Sequence, residues 1–303
     1  MTDPQVGTVI RLHARKSIVR TPSEELRCVV RGRLLGGSRR ATRPVAVGDR
    51  VEVRPISEGE GVIERVLPRT TKLSRPGVER EDREQVIAAN VELAIVVASA
   101  SLPVYRPGLV DRILIASRSG GLDSLLCVNK CDDGDPAEIE EPLAAAREAG
   151  VDVILTSALT GSGIEELRAR MSGRVSVLSG QSGVGKSSLI NAVQPGLQLR
   201  VGDIGEKTGK GRHTTTEVSL LPLDFGGFVV DTPGVREFGL WEVARHQLDG
   251  FFPEISSRSG ACRYPDCSHT HEPDCAVKEA VEAGEIRSIR YESYSRILET
   301  LDS

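Results

Sequence analysis

The chain has 303 residues, 39% hydrophobic and 27% charged, with a formal net charge of -4. That length exceeds one compact core of ordinary size and predicts two or three domains, and that composition excludes collagen-like, mucin-like and mostly disordered chains. No run approaches 18 consecutive apolar residues, and the opening MTDPQVGTVIRLHARK has no apolar segment ahead of a small-residue cleavage site, so neither a membrane span nor a secretory signal is expected and the expected compartment is the cytoplasm.

The charge is unevenly spread. Through Glu84 there are 18 Lys and Arg against 12 Asp and Glu, whereas the remainder holds 21 against 31. A basic first segment suggests nucleic-acid contact. Arg outnumbers Lys 32 to 7 along the whole chain, so an arginine-rich solvated surface is the competing explanation.

In chain order, residues 1–75 read as short strands rich in Val, Ile and Arg: 7–14, 26–35, 49–56 and 61–67. Gly, Pro and Ser mark the breaks, and no helix-length periodic segment interrupts them. This fits a small all-β barrel such as the OB-fold, and an SH3-like barrel would look much the same. The polar stretch SRPGVEREDREQ (74–85) reads as a linker. The β-branched run NVELAIVVASAS (90–101) reads as a buried strand of a parallel sheet. Strands and helices then alternate: a helix opened by Pro107, a strand at 123–129, a helix ended by Gly150, a strand at 151–157, a helix from Gly163 to Met171, a strand at 174–180, a helix at 186–193, and strands at 218–223 and 228–231. That order predicts a central α/β sheet with helices on both faces. The last sixty residues are mainly helical in pattern and hold a Cys cluster. The expected division is a barrel at 1–75, an α/β domain at 76–245 and a mainly α domain at 246–303.

The strongest motif is GQSGVGKSS: Gly180, Gln181, Ser182, Gly183, Val184, Gly185, Lys186, Ser187 and Ser188. It fits G-x-x-x-x-G-K-[ST] between a strand and a helix, the phosphate-cradling P-loop. Lys186 is expected on the β- and γ-phosphates and the Ser187 hydroxyl on Mg²⁺. Asn129-Lys130-Cys131-Asp132 ends a predicted strand. A carboxylate at Asp132 accepts from the ring N–H and exocyclic amine of guanine, whereas adenine would leave it unpaired. Asn129 would brace loop and base, and the Lys130 stem would lie along the ring. Thr156-Ser157-Ala158 fits a loop whose backbone N–H meets the guanine carbonyl. Asp231-Thr232-Pro233-Gly234 suits the Mg²⁺-side Asp and the γ-phosphate-sensing Gly234. One of Thr214, Thr215 or Thr216 is expected on Mg²⁺, with Thr215 favoured.

The motif order is rotated. A GTPase ordinarily runs P-loop, Thr, DxxG, NKxD, SA; here NKxD (129) and SA (157) precede the P-loop (180), the Thr (215) and DxxG (231). All five still fall at the carboxyl ends of predicted parallel strands, so one GTP/GDP site can form from a circularly permuted domain. Val235 stands where many GTPases carry a water-orienting Gln, which predicts slow intrinsic hydrolysis and makes His213 the nearest candidate to position water. Cys262, Cys267, His269 and Cys275 have the spacing of a structural Zn²⁺ site, with His271 as an alternative nitrogen ligand.

Rotated GTPase motifs behind a barrel and ahead of a Cys/His knuckle resemble one family over nearly the whole chain: the RsgA (YjeQ) bacterial ribosome small subunit-dependent GTPases. The resemblance implies an OB-fold that binds 16S rRNA, a permuted GTPase domain and a C-terminal zinc domain. It implies late maturation of the small (30S) subunit, with hydrolysis stimulated by that subunit. It also matches the family's proposed catalytic histidine to His213, beside Lys186, and its zinc ligands to Cys262, Cys267, His269 and Cys275. Nothing in the sequence demands more than a monomer. A GTP-gated RNA-binding module without catalysis is the main competing reading. Because the domains flank the nucleotide motifs, GTP and GDP are expected to place the two outer domains differently.

Overall fold

Period-two alternation builds the first strands. In β3 (Glu25–Val30) Glu25 and Arg27 are exposed while Leu26 and Cys28 are buried. β1 (Gln5–Leu12), β2 (Ser17–Arg20), β4 (Arg50–Ser57) and β5 (Glu60–Val66) direct Val9, Val19, Val51, Val53 and Ile63 into the same core. β1, β2 and β3 pair antiparallel in sequence, β3 lies parallel to β5, β5 antiparallel to β4, and β4 returns to β1. The result is the closed five-stranded Greek-key barrel expected of an OB-fold, with no free edge inside it. The computed structural model describes residues 3–13, 16–32, 44–77, 83–197, 218–231, 240, 241 and 243–301.

The second core is a parallel sheet. Its strand order is β10 (Asp152–Leu155), β9 (Asp123–Asn129), β8 (Leu93–Ser99), β11 (Val175–Ser179) and β13 (Phe228–Asp231), with β12 (Ser219–Pro222) antiparallel beside β13. β8 is buried at every position because both of its faces are covered. Ala94, Val96, Leu126, Val128 and Val230 face α1 (Pro107–Ser119) and α2 (Glu140–Glu148). Ile95, Val97, Leu125, Ile154 and Val229 face α3 (Ile164–Met171) and α4 (Lys186–Val193).

Barrel and sheet are continuous. The Leu12 N–H donates to Val218 O at 3.3 Å, and Arg11 stands opposite Ser219, so β1 extends the sheet through β12 to eleven strands. A second tie comes from the polar stretch that resembles a linker in sequence. Its flanks form β6 (Lys72–Pro76) and β7 (Glu84–Ala89), an antiparallel pair. Ala89 N donates to Val47 O at 2.8 Å on the barrel side, and Lys72 N donates to Gly120 O at 3.1 Å on the sheet side. Gly48 makes this approach possible: its φ is +87°, and a Cβ there would sit 2.0 Å from Ala89 O.

The last segment packs α5 (Pro253–Ser259), α6 (Ala276–Glu282) and α7 (Ser288–Thr300) around Leu248, Phe252, Ile255, Val277 and Ile297. α7 docks on α1 through charge. The buried Arg290 guanidinium pairs with Asp111 of α1 and, at 2.6 Å, with Glu254, and it lies 4.6 Å from the Phe252 ring centroid. Arg287 grips Glu148 of α2 through two bonds of 2.7 Å. No helix among the described residues is long and apolar enough to cross a membrane.

Removing Arg290 leaves two carboxylates facing each other in a buried site. Arg290→Ala is expected to destabilise the chain by about 3–5 kcal/mol, read as a lower urea midpoint at unchanged slope.

Candidate nucleotide site and metal centre

The nucleotide motifs converge at the carboxyl edge of the parallel sheet, as a doubly wound fold requires. β11 delivers Gly180, β9 delivers Asn129, β13 delivers Asp231, and the turn after β10 carries Ser157 and Ala158. The P-loop needs glycine for contact reasons as well as flexibility. A Cβ on Gly180 would lie 2.1 Å from Val97 O, and one on Gly185 would lie 2.3 Å from Asn129 Nδ2. Val184 is buried and anchors the loop in the core below α4. Ser182 is exposed, and Gln181, Gly183, Ser187 and Ser188 are half-buried around the helix N-terminus. Lys186 folds over the loop, its Nζ donating to Gly180 O at 2.8 Å and Gln181 O at 2.9 Å. That holds a cation over backbone N–H groups suited to phosphate.

Asn129 is 1% exposed and joins three segments. Its Nδ2 donates to Val184 O at 2.9 Å, and its Oδ1 accepts from Ala158 N at 3.1 Å and Thr156 Oγ1 at 3.4 Å. The base-reading loop is thereby fixed to the P-loop. Lys130 takes the left-handed conformation (φ 65°) and donates from Nζ to Leu102 O at 2.6 Å. Asp132 is exposed, and its Oδ1 accepts from Ser157 Oγ at 2.5 Å. The structure thus brings Asn129, Lys130, Asp132, Ser157, Ala158 and the P-loop together. Sequence reasoning missed the loop at 99–102, whose Leu102 carbonyl receives Lys130 and whose Ser101 Oγ donates to Asp133 at 2.7 Å. A backbone carbonyl leaves no residue signature, so no sequence signal marks that contact.

Asp231 is half-buried at the end of β13, in register with Ser219, and burial raises its carboxyl above the usual carboxylate range. A cation beside it would reverse that cost, so the group suits Mg²⁺. His213, Thr214, Thr215, Thr216, Gly234 and Val235 lie outside the described residues. Burial pushes the Cys28 and Cys127 thiols up to about 12, which disfavours their thiolates.

Cys262, Cys267, His269 and Cys275 form one cluster, with their ligand atoms all within 4.8 Å of one another. Cys262 Sγ and Cys275 Sγ are 3.8 Å apart, and each is 3.5 Å from His269 Nδ1. A tetrahedron with metal–sulfur bonds of about 2.3 Å has edges of roughly 3.8 Å, so Cys262, Cys275 and His269 stand at ligand spacing and Cys267 lies close to it. His271 is 82% exposed and outside the cluster, which leaves His269 as the nitrogen donor. His269 is set at φ 61° by its surroundings. Glu272 accepts from Ser268 N (2.8 Å), Ser268 Oγ (2.7 Å) and Thr270 N (3.1 Å). Burial acts to raise the Glu272 carboxyl, but these bonds outweigh it and bring it down to about 2. Tyr291 and Tyr294 of α7 donate to His269 O (2.7 Å) and Ser268 O (3.1 Å).

Two outcomes check this geometry. Asn129→Ala unties three segments at once and is expected to weaken GDP binding by about 10–100-fold in a fluorescence titration. Cys275→Ser is expected to lower bound metal from about one ion per chain to well below it, by elemental analysis, and to lower Tm.

Comparison with known proteins agrees with this architecture. Residues 66–241 match the RsgA GTPase family. A small ribosomal subunit biogenesis GTPase RsgA from Thermotoga neapolitana is 39% identical over 97% of this chain and 96% of its own length. Its counterpart from Gemmatimonas aurantiaca is 42% identical over 92% and 91%. The crystal structure of YjeQ from Thermotoga maritima superposes with a TM-score of 0.77 at 35% identity, covering 98% of each chain. That of YloQ, a circularly permuted GTPase, gives 0.71 at 30% identity over 99% and 95%. The rotated motif order, the single sheet edge on which the motifs meet and these matches place the chain in the RsgA GTPase family, as a circularly permuted GTP hydrolase.

Proposed function

We propose that this GTPase binds the small (30S) ribosomal subunit, assists its late maturation in the cytoplasm, and hydrolyses GTP to GDP and phosphate with stimulation by the subunit. The observation that carries the nucleotide half is Asn129, which locks the guanine-reading loop to the phosphate loop. The subunit half is supported by relatives named small ribosomal subunit biogenesis GTPase over almost the whole chain. The working division is a barrel at 1–75 that contacts 16S rRNA, a GTPase domain at 76–245 and a zinc domain at 246–303, acting as a monomer.

In this reading the backbone of Gly180–Ser188 and the Lys186 ammonium hold the phosphates. Ser187, Thr215 and Asp231 would hold Mg²⁺, which would supply positive charge against the negative charge that develops on the phosphates. Asp132 selects guanine, and Gly234 senses the γ-phosphate. Val235 supplies no hydrogen bond to water, so His213 orients it, and the subunit completes that arrangement. The Cys₃His cluster takes one structural Zn²⁺, a closed donor set with no open position for chemistry.

GTP turnover is measured with and without purified 30S subunits, with large subunits as the control. Strong stimulation by 30S alone is expected, and His213→Ala is expected to abolish it by about 10²-fold or more while GDP still binds. Tight nucleotide binding without any stimulation would favour the passive RNA-binding switch instead.

A further inference from the structure

Beside the two backbone ties that join barrel and sheet lies a cleft of about 440 Å³. It is far from the nucleotide motifs. Val175, on its wall, opens β11, and the phosphate loop begins five residues later, about 16 Å along the strand. Strand alternation builds one side of the cleft. β1 turns Gly7 and Val9 into the barrel and Val6, Thr8 and Ile10 toward the sheet. Leu220 of β12 and Phe228 of β13 face them, so the walls are mainly apolar. Val6 is left 43% exposed at the mouth.

The polar groups in the cleft form one row across the barrel strands. Thr8 stands directly opposite Arg20 of β2 on one side and Arg50 of β4 on the other, and Arg20 stands opposite Glu25. Directly opposed residues share a face and nearly touch. Arg20 is held by Glu25 through bonds of 3.0 and 2.7 Å. Asn90 is also committed, donating to Gly48 O at 2.9 Å and accepting from Thr70 N at 3.0 Å. The Arg50 guanidinium and the Thr8 hydroxyl have no such partner among the described residues. The row carries two cations and one carboxylate, which suits a single anion rather than a run of phosphates. An apolar cleft of this size between two units, with a few convergent polar groups, has the form of a small-ligand site.

We propose that this cleft binds a small amphiphilic anion, an aromatic ring carrying one phosphate or carboxylate. The Arg50 guanidinium and Thr8 hydroxyl hold the anion, and the ring lies against Val6, Leu220 and Phe228. The site stands apart from the GTPase reading and does not depend on it. A ligand there touches both barrel and sheet, so it stabilises their docked arrangement.

The test uses the full chain saturated with GDP and Mg²⁺, which keeps the probe off the phosphate loop. The probe is 1-naphthyl phosphate, followed by naphthalene fluorescence and by Tm. Saturable one-to-one binding with a raised Tm is expected, with 1-naphthol, which lacks the anion, at least about tenfold weaker. Arg50→Ala is expected to weaken the probe by about 5–20-fold and Thr8→Val by about 3–10-fold. Val6→Trp fills the mouth and is expected to abolish binding, whereas Arg27→Ala, on an exposed barrel position outside the cleft, leaves it within about twofold. Thr8→Val and 1-naphthol keep the test decisive even where Arg50→Ala or Val6→Trp lowers the Tm of the chain itself. Absence of saturable binding, binding within about twofold in Arg50→Ala, Thr8→Val and Val6→Trp, or equal affinity for 1-naphthol overturns the proposal. Binding of single-stranded oligouridylate that these variants weaken, with no binding of the probe, assigns the cleft to RNA and also overturns it.

Discussion

One buried amide holds the candidate nucleotide site together. Asn129 has no room to turn elsewhere: it is enclosed at the end of β9, with Gly185 so close that any side chain there would strike it. Its donor is spent on the phosphate loop and its acceptor on the turn after β10. A buried amide must satisfy both ends, so its position dictates theirs. Asp132, Lys130 and the Ser157 hydroxyl take their places from that constraint. In a permuted chain this matters more, because the two loops come from segments 55 residues apart and in reversed order.

The outer units are attached by different physics. The barrel joins through backbone, at the β1–β12 ladder and at the hairpin that reaches from Val47 to Gly120. Such bonds are insensitive to side-chain charge and make barrel and sheet one body. The C-terminal unit joins through ion pairs at Arg290 and Arg287 and through Ile115 of α1, which is part of its apolar core. Arg290 is sequestered, and the Arg287–Glu148 pair is open to salt. Any nucleotide-linked rearrangement therefore has its natural joint at α1 and α7 rather than at the barrel.

Much of this was legible in the residues. The P-loop, the Asn129–Asp132 loop and the Cys/His knuckle each need a particular atom at a particular spacing, so the chemistry is written in residue type. The barrel and the two-faced sheet follow from period-two and all-apolar runs. What stayed hidden has no such signature. The Leu102 carbonyl and the Ala89–Val47 bond are backbone contacts. The Arg290–Asp111 pair spans 179 residues. The stretch 74–85 looks like a linker because its strands lie partly open to water and are held by their own ladder and by Lys72 and Ser74 bonding Glu84. The spacing left His269 and His271 open, and the fold decides between them by burying His269 among the cysteines and leaving His271 exposed.

The strand order also sets a timetable for the nascent chain. β8, β9 and β10 are consecutive in sequence and adjacent in the sheet, so the base-reading half can assemble as soon as they leave the ribosome. β11, with the phosphate loop, then docks against β8, and β13 and β12 close the sheet afterwards. The barrel is translated first, and its hairpin tie needs only residues up to Gly120, yet its strand pairing with the sheet waits for β12. A chain cut short before residue 219 would hold a base-recognition half and a phosphate loop with an open sheet edge. Asp231 thus reaches the site last, carried by the strand that closes the sheet.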